Sequence, residues 1–343
     1  MLKTLFTLFI FCLPLVLLIN SDLFACLQNN LEKSRIIIGS GVNLRDAPQL
    51  TGKEITKIPL GTIVKELETS AKKTKINQKE DYWYRIVLPD GKEGWVFGGL
   101  TSSFDSNKRG EAYLEILKAR VLSVEDINNK ENNDANFDEQ ADLLRFVTQA
   151  LTEIKEPEIL GELELAQLLA LRNAVILIPY DKENNPKYKK FTFTHKDKLN
   201  YVDYGDAGWK LKTEELWNLE KKYSGQPIAD KIAWEAANNP LGGECEGDIY
   251  CELIIYLRGT GEYLQKYPSG IYAKEAIQDI GNYVMFSIAE AKENKEFLTN
   301  YDAKTKADIR EDLKKLQNIV IAAKPLEKDA LAKQIEEFIK LIK

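Results

Sequence analysis

The sequence predicts a multidomain β + α chain, a small β-barrel followed by a mainly α-helical domain. Three observations carry this expectation. Residues 35–104 hold short β-branched and aromatic runs punctuated by glycine and proline. Residues 105–343 repeat apolar side chains at helical intervals. Ahead of both, residues 1–25 have the layout of an export signal.

The signal is built from Lys3 and an apolar run of about 15 residues, Leu5 to Ile19. A spanning helix needs roughly 20 residues, and Pro14 disfavours a straight permanent span. The run ends in N-S-D-L-F-A-C, with small Ala25 ahead of Cys26. Leu23, Ala25 and Cys26 resemble a lipobox, in which the cysteine sulfur takes diacylglycerol and becomes the new N-terminus. Phe24 is bulkier than the Ser, Thr or Val usual at its place. Ordinary cleavage, leaving an exported chain without lipid, is the alternative. Residues 26–34 then read as a polar tether. No later segment is apolar enough to span a bilayer. The expectation is an envelope protein whose body sits at a membrane surface, periplasmic or outward-facing.

In residues 35–104 the strand candidates are Ile36-Ile37-Ile38, Ile63-Val64 and Tyr84-Arg85-Ile86-Val87. Gly39, Gly41, Pro48, Gly52, Pro59, Gly61 and Pro89-Asp90-Gly91 mark the turns between them. Short strands at this spacing suit a small barrel. Val42 and Leu44 fall on one side of a strand, whose side-chain period is two. Trp83 and Trp95 are large apolar bodies with one N–H each, suited to a small core or a groove rim.

Three sub-motifs follow in order: V-N-L-R-x-x-P from Val42, G-x-x-I-x-x-I-P-x-G-T-x-V from Gly52, and W-Y-x-x-x-x-x-D-G-x-x-G-W-V from Trp83. Together they resemble the bacterial Src-homology-3 (SH3b) family over about a fifth of the chain. The resemblance implies an SH3-like barrel of the cell envelope that binds peptidoglycan or a peptide segment. Its candidate contacts are Tyr82, Trp83, Trp95 and Phe97, with Arg45 to grip a ligand carboxylate. The other reading places Trp83 and Trp95 in the core and pairs Arg45 internally. Residues 70–81 read as a Lys-rich solvated loop.

Helices are expected over about 109–124, 138–154, 159–178, 213–223, 226–238, 247–265, 270–292, 302–323 and 326–342. The Asn-rich segment 126–138 reads as a disordered loop without the central Gly and terminal Glu of a calcium-binding hand. Residues 188–204 alternate and predict a β-hairpin. Two stretches look alike, 216–237 and 261–276: each runs helix, Tyr, a turn with Pro and Gly, then an Ala-containing helix. A weaker echo begins at Glu296. Tyr267 and Tyr301 stand 34 residues apart, the tetratricopeptide period. This region is similar to the tetratricopeptide-like repeats of envelope lipoproteins, which implies a concave surface for a protein partner. An ordinary helical domain is the alternative.

The chain has four cysteines and one histidine. Cys12 lies in the signal, and Cys26 is the lipidation candidate. Cys245 and Cys251 remain. In an oxidising compartment they most simply pair as a disulfide; free thiols are the alternative, and a metal would need further soft ligands. The net charge of −6 argues against nucleic acid. His195 is the one histidine for any triad or zinc site, and no G-x-S-x-G or phosphate-loop pattern accompanies it. Paired carboxylates occur by chance among 53 acidic residues. The expected function is therefore binding without catalysis, cofactor or metal. A wall-active hydrolase with a carboxylate pair, or a surface-exposed adhesin-like protein, is the rival. The expected partners are peptidoglycan or a peptide, a protein partner on the helices, and a membrane through the lipid.

Overall fold

The computed structural model describes residues 33–205, 207–241, 245–293 and 298–342. The signal peptide and Cys26 lie outside the described residues. The chain begins with β1 (Ser34–Ile37), β2 (Val42–Arg45), β3 (Glu54–Ile58) and β4 (Ile63–Thr69). A short hairpin follows, β5 (Thr74–Ile76) and β6 (Lys79–Asp81), then β7 (Trp83–Val87), β8 (Glu93–Phe97) and β9 (Thr101–Phe104). Seven strands form one antiparallel sheet in the order β3-β2-β8-β7-β4-β1-β9.

The expected small barrel is present as this SH3-like sheet, and among the described residues β3 and β9 share no ladder. The reason lies in where β9 leads. It passes through a 3-10 turn into α1 (Arg109–Arg120), so that edge is tied to the helical body. The free edge, β3, carries charged Glu54 and Lys57, which discourage strand addition. The core of the sheet is Ile37, Val42, Leu44, Ile58, Val64, Ile86, Leu88 and Val96. Ile36 points the other way, into the helical core. An apolar run buried on both faces is what Ile36-Ile37-Ile38 encodes.

The helical domain continues with α2 (Val124–Asn128), α3 (Asp134–Glu153), α4 (Pro157–Ile176) and α5 (Pro186–Thr194). A hairpin of β10 (Leu199–Val202) and β11 (Gly208–Leu211) precedes α6 (Thr213–Lys222) and α7 (Pro227–Ala237). Then come α8 (Ile249–Tyr256), a π-helical turn (Leu257–Gly261), α9 (Glu262–Lys266), α10 (Ala273–Glu293), α11 (Ala303–Ala322) and α12 (Lys328–Leu341). No helix among the described residues is long and apolar enough to cross a membrane. One core gathers α1 to α7 and a second gathers α7 to α12, with Trp217 and Tyr267 packed against both.

Two expectations are corrected. The hairpin predicted at 188–204 begins later, at Leu199, and its first half is α5. Asn185 caps that helix and Pro186 opens it, a start signal stronger than a few residues of alternation. Tyr188 and Thr192, four apart, share its buried face. The Asn-rich segment is helix punctuation rather than disorder. Ser123 and Asp126 form a capping box on α2, and Asn133 caps α3. Cys245 and Cys251 form a disulfide. Between them Asp248 caps α8 through the Cys251 N–H.

The sheet is fastened to the helices at the Pro59–Thr62 turn. Asp142 on α3 accepts from the Leu60 N–H at 3.0 Å, and Arg145 donates to the Leu60 carbonyl at 2.6 Å. Arg145 also bonds Asp142 at 2.9 Å, closing the clamp. Arg120 donates to the Ile38 carbonyl through Nε and Nη2. Gly61 has φ +78° and lies against the Phe146 ring; a Cβ there would fall 2.0 Å from Phe146 Cδ2. Gly61→Ala therefore meets both a left-handed backbone and an overpacked contact. A loss on the order of 2–4 kcal/mol is expected in urea unfolding. An unchanged midpoint would show that the turn does not seat on α3.

Candidate functional site

A cleft of about 1370 Å³ opens between the sheet and α3. Its sheet side carries the Gly39–Val42 turn, Arg45, Lys57 and the hairpin residues 76–79; its helix side carries Arg120 and one face of α3. That face is acidic because Asp134, Asp138 and Asp142 recur every four residues, with Glu139 beside them. Each is engaged within the protein. Asp134 accepts from the Tyr188 hydroxyl and from Lys182, and Lys187 lies 2.7 Å from Asp138. Glu139 binds Arg120, and Asp142 holds Leu60.

The sheet side differs. β2 and β3 place Asn43 opposite Lys57, and Arg45 two residues on from Asn43 faces the same way. Arg45 gives one N–H to the Gly52 carbonyl at 2.7 Å and makes no ion pair among the described residues. The Lys57 side chain is exposed and makes no hydrogen bond or ion pair among the described residues. Two cations thus stand without carboxylates, opposite a carboxylate row whose cations are already in place. An anionic group entering the cleft meets its attraction on the sheet side.

The structure brings Arg45, Trp83 and Phe97 to the cleft lining and leaves Tyr82 and Trp95 off it. Trp83 and Phe97 are 2% and 4% exposed, edge to face with centroids 5.7 Å apart. The Trp83 Nε1–H donates to Thr74 Oγ1 at 3.1 Å, under the β5–β6 hairpin. The segment read as a solvated loop is thus the cover of Trp83. Trp95 is half-buried, cross-strand from Arg45 and Arg85. Tyr82 is half-buried, with Lys73 Nζ 5.4 Å from its ring centroid. Sequence reasoning missed Lys57 and the α3 face. The four-residue spacing of the aspartates was the available signal, masked by reading that stretch as disorder.

His195 lies far along the chain on the C-cap of α5, with its ring 4.9 Å from Phe191. Burial, then Lys198, lowers its pKa below the usual value. Among the described residues no group of three His, Cys, Asp or Glu is arranged to hold a metal ion.

The family model of the bacterial SH3 domain matches residues 40–102, the segment that supplies the sheet side of the cleft. The N-terminal sheet is accordingly an SH3-like domain followed by a mainly helical one. No curated protein matches the chain.

The Asp134 carboxyl is held down to about 2, first by the Tyr188 hydroxyl and then by Lys182. Its folded pKa lies below the ordinary 3.8, so the stability it contributes is present above 3.8 and drains as pH falls toward 2. Wild-type urea midpoints are expected to fall more steeply across that window than those of Asp134→Asn. Parallel pH profiles for the two proteins would refute the link.

Proposed function

We propose that this protein is a non-enzymatic binding protein of the cell envelope, anchored by lipid at Cys26. Its cleft between the SH3-like sheet and α3 takes a peptide segment, free or as part of peptidoglycan. The observation that carries this reading is the pair of unneutralised cations, Arg45 and Lys57, at a cleft of peptide dimensions. They suit the carboxylates of a peptide, and the buried Trp83–Phe97 pair keeps that wall rigid. The match of residues 40–102 to the bacterial SH3 domain supports an envelope setting.

The helical domain is proposed to present a protein partner surface of tetratricopeptide-like kind. In its support, α6 and α9 both end on a Tyr C-cap, Tyr223 and Tyr267, ahead of a Pro- and Gly-containing turn. The two units also lock together. Glu220 accepts from the Tyr267 hydroxyl at 2.7 Å, and Asp230 accepts from the Tyr263 hydroxyl at 2.5 Å.

Co-sedimentation with purified cell-wall sacculi tests the cleft. Arg45→Ala with Lys57→Ala is expected to cut the bound fraction about tenfold or more, as the loss of charged contacts does. Equal retention of the variant would remove the cleft from the reading. Release of muropeptides by the wild type would remove the non-enzymatic part.

A further inference from the structure

The outward face of α5 carries an arrangement that neither the cleft nor the helical core uses. Tyr188 and Thr192 turn inward, four residues apart. Lys189 and Phe193, also four apart, share an outward side, and Lys190 stands three residues before Phe193. Lys196, just past the helix, brings its Nζ to 4.6 Å from the Phe193 ring centroid. The Phe193 side chain is 69% exposed. An aromatic ring is thus collared by three ammonium groups on the outside of a helix, and none of these residues lines the cleft.

These cations do not balance charge within the fold. Lys182 and Lys187 are paired with Asp134 and Asp138 on α3, and Lys198 with Glu215 at 2.8 Å. Lys189, Lys190 and Lys196 are exposed, and their ammonium groups make no ion pair or hydrogen bond among the described residues. A further ammonium, that of Lys212, reaches the Asp197 carbonyl at 2.8 Å, a contact that leaves its charge in place. Residues 187–198 hold five lysines against one carboxylate, Asp197, in a chain of net charge −6.

Charge and apolarity together select the occupant. An exposed ring is unfavourable in water, and neighbouring like charges repel. An anionic lipid surface answers both at once: its phosphates meet the ammonium groups, and the ring enters the boundary below the headgroups. Lysine stems are long enough to keep their charges at the phosphates while the ring sinks past them. A small ligand or a short peptide wants a concave site, which the outer face of a nine-residue helix is not.

We propose that the outer face of α5 is a membrane-contact surface, with Phe193 entering an anionic phospholipid layer inside a collar of Lys189, Lys190 and Lys196. This contact is separate from the cleft and from any lipid on Cys26. It turns one fixed side of the helical domain toward the bilayer.

Co-sedimentation with vesicles tests it, using residues 27–343, a form that holds every described residue without the signal run or lipid. Vesicles of equal phosphatidylglycerol and phosphatidylcholine are expected to bind the protein, and vesicles of phosphatidylcholine alone are not. Each lysine near an anionic surface is worth about fivefold in partitioning. Lys189→Gln with Lys190→Gln and Lys196→Gln is therefore expected to lower it about 100-fold, and Phe193→Ser alone about tenfold or more. Lys304→Gln with Lys314→Gln and Lys315→Gln on α11 changes the net charge equally and is expected to bind as the wild type does. Arg45→Ala with Lys57→Ala, which empties the cleft of its cations, is expected to do the same. The altered α5 side chains are exposed, so thermal midpoints should match the wild type. No binding to the anionic vesicles, an equal loss in the α11 variant, undiminished binding by Phe193→Ser, or a lowered midpoint in the α5 variants would overturn the proposal. So would salt-sensitive dimers in sedimentation velocity that the α5 lysine variant abolishes, which would give this face to a second copy of the chain.

Discussion

The seating of the Pro59–Thr62 turn on α3 is the constraint on which the rest depends. Asp142 and Arg145 take both the N–H and the carbonyl of Leu60, so one helical turn satisfies a loop backbone that would otherwise need water. Gly61 then lets the Phe146 ring lie against the backbone. With that contact made, Ile36 and Leu60 join the helical core, and the sheet and helices share one buried surface. The cleft beside it is a consequence, because its two sides are held at a fixed separation by the same clamp.

The asymmetry of charge across the cleft follows from secondary structure. A helix places acids every four residues along one line, and α3 does so with Asp134, Asp138 and Asp142. Neighbouring Lys182 and Lys187, Arg120 and Arg145 neutralise that line from within the helical domain. On the sheet Glu54 stands cross-strand from Arg45, yet neither Arg45 nor Lys57 forms an ion pair among the described residues. The helical side therefore contributes shape and rigidity, and the sheet side contributes attraction.

The later helices are joined by polar contacts laid through an apolar core. Glu220 is nearly buried and is matched by the Tyr267 hydroxyl and Lys266. Buried Arg172 on α4 is matched by Glu235 on α7 at 2.9 Å. Buried Arg35 is likewise matched by Glu66 at 3.0 Å, so each of these ions has a counter-charge, while Arg172 Nη2 makes no hydrogen bond among the described residues.

The sequence by itself determined the order of β and α segments, the SH3-like motif series and most helix positions. These depend on local period and turn chemistry: V-N-L-R alternates, Gly61 takes a positive φ, and apolar residues return every three or four positions. It also left Cys245 and Cys251 as the pair that the structure bonds. It misjudged 188–194 and 126–138, where a cap outweighed alternation or polarity. Of the named contacts, Arg45 stands at the cleft with Nη1 bonded to the Gly52 carbonyl, and Trp83 and Phe97 support its wall. Only the tertiary structure decided that β3 and β9 share no ladder and that Lys57 faces α3. Those elements lie far apart in sequence. Their meeting depends on packing between elements, and no local pattern encodes it.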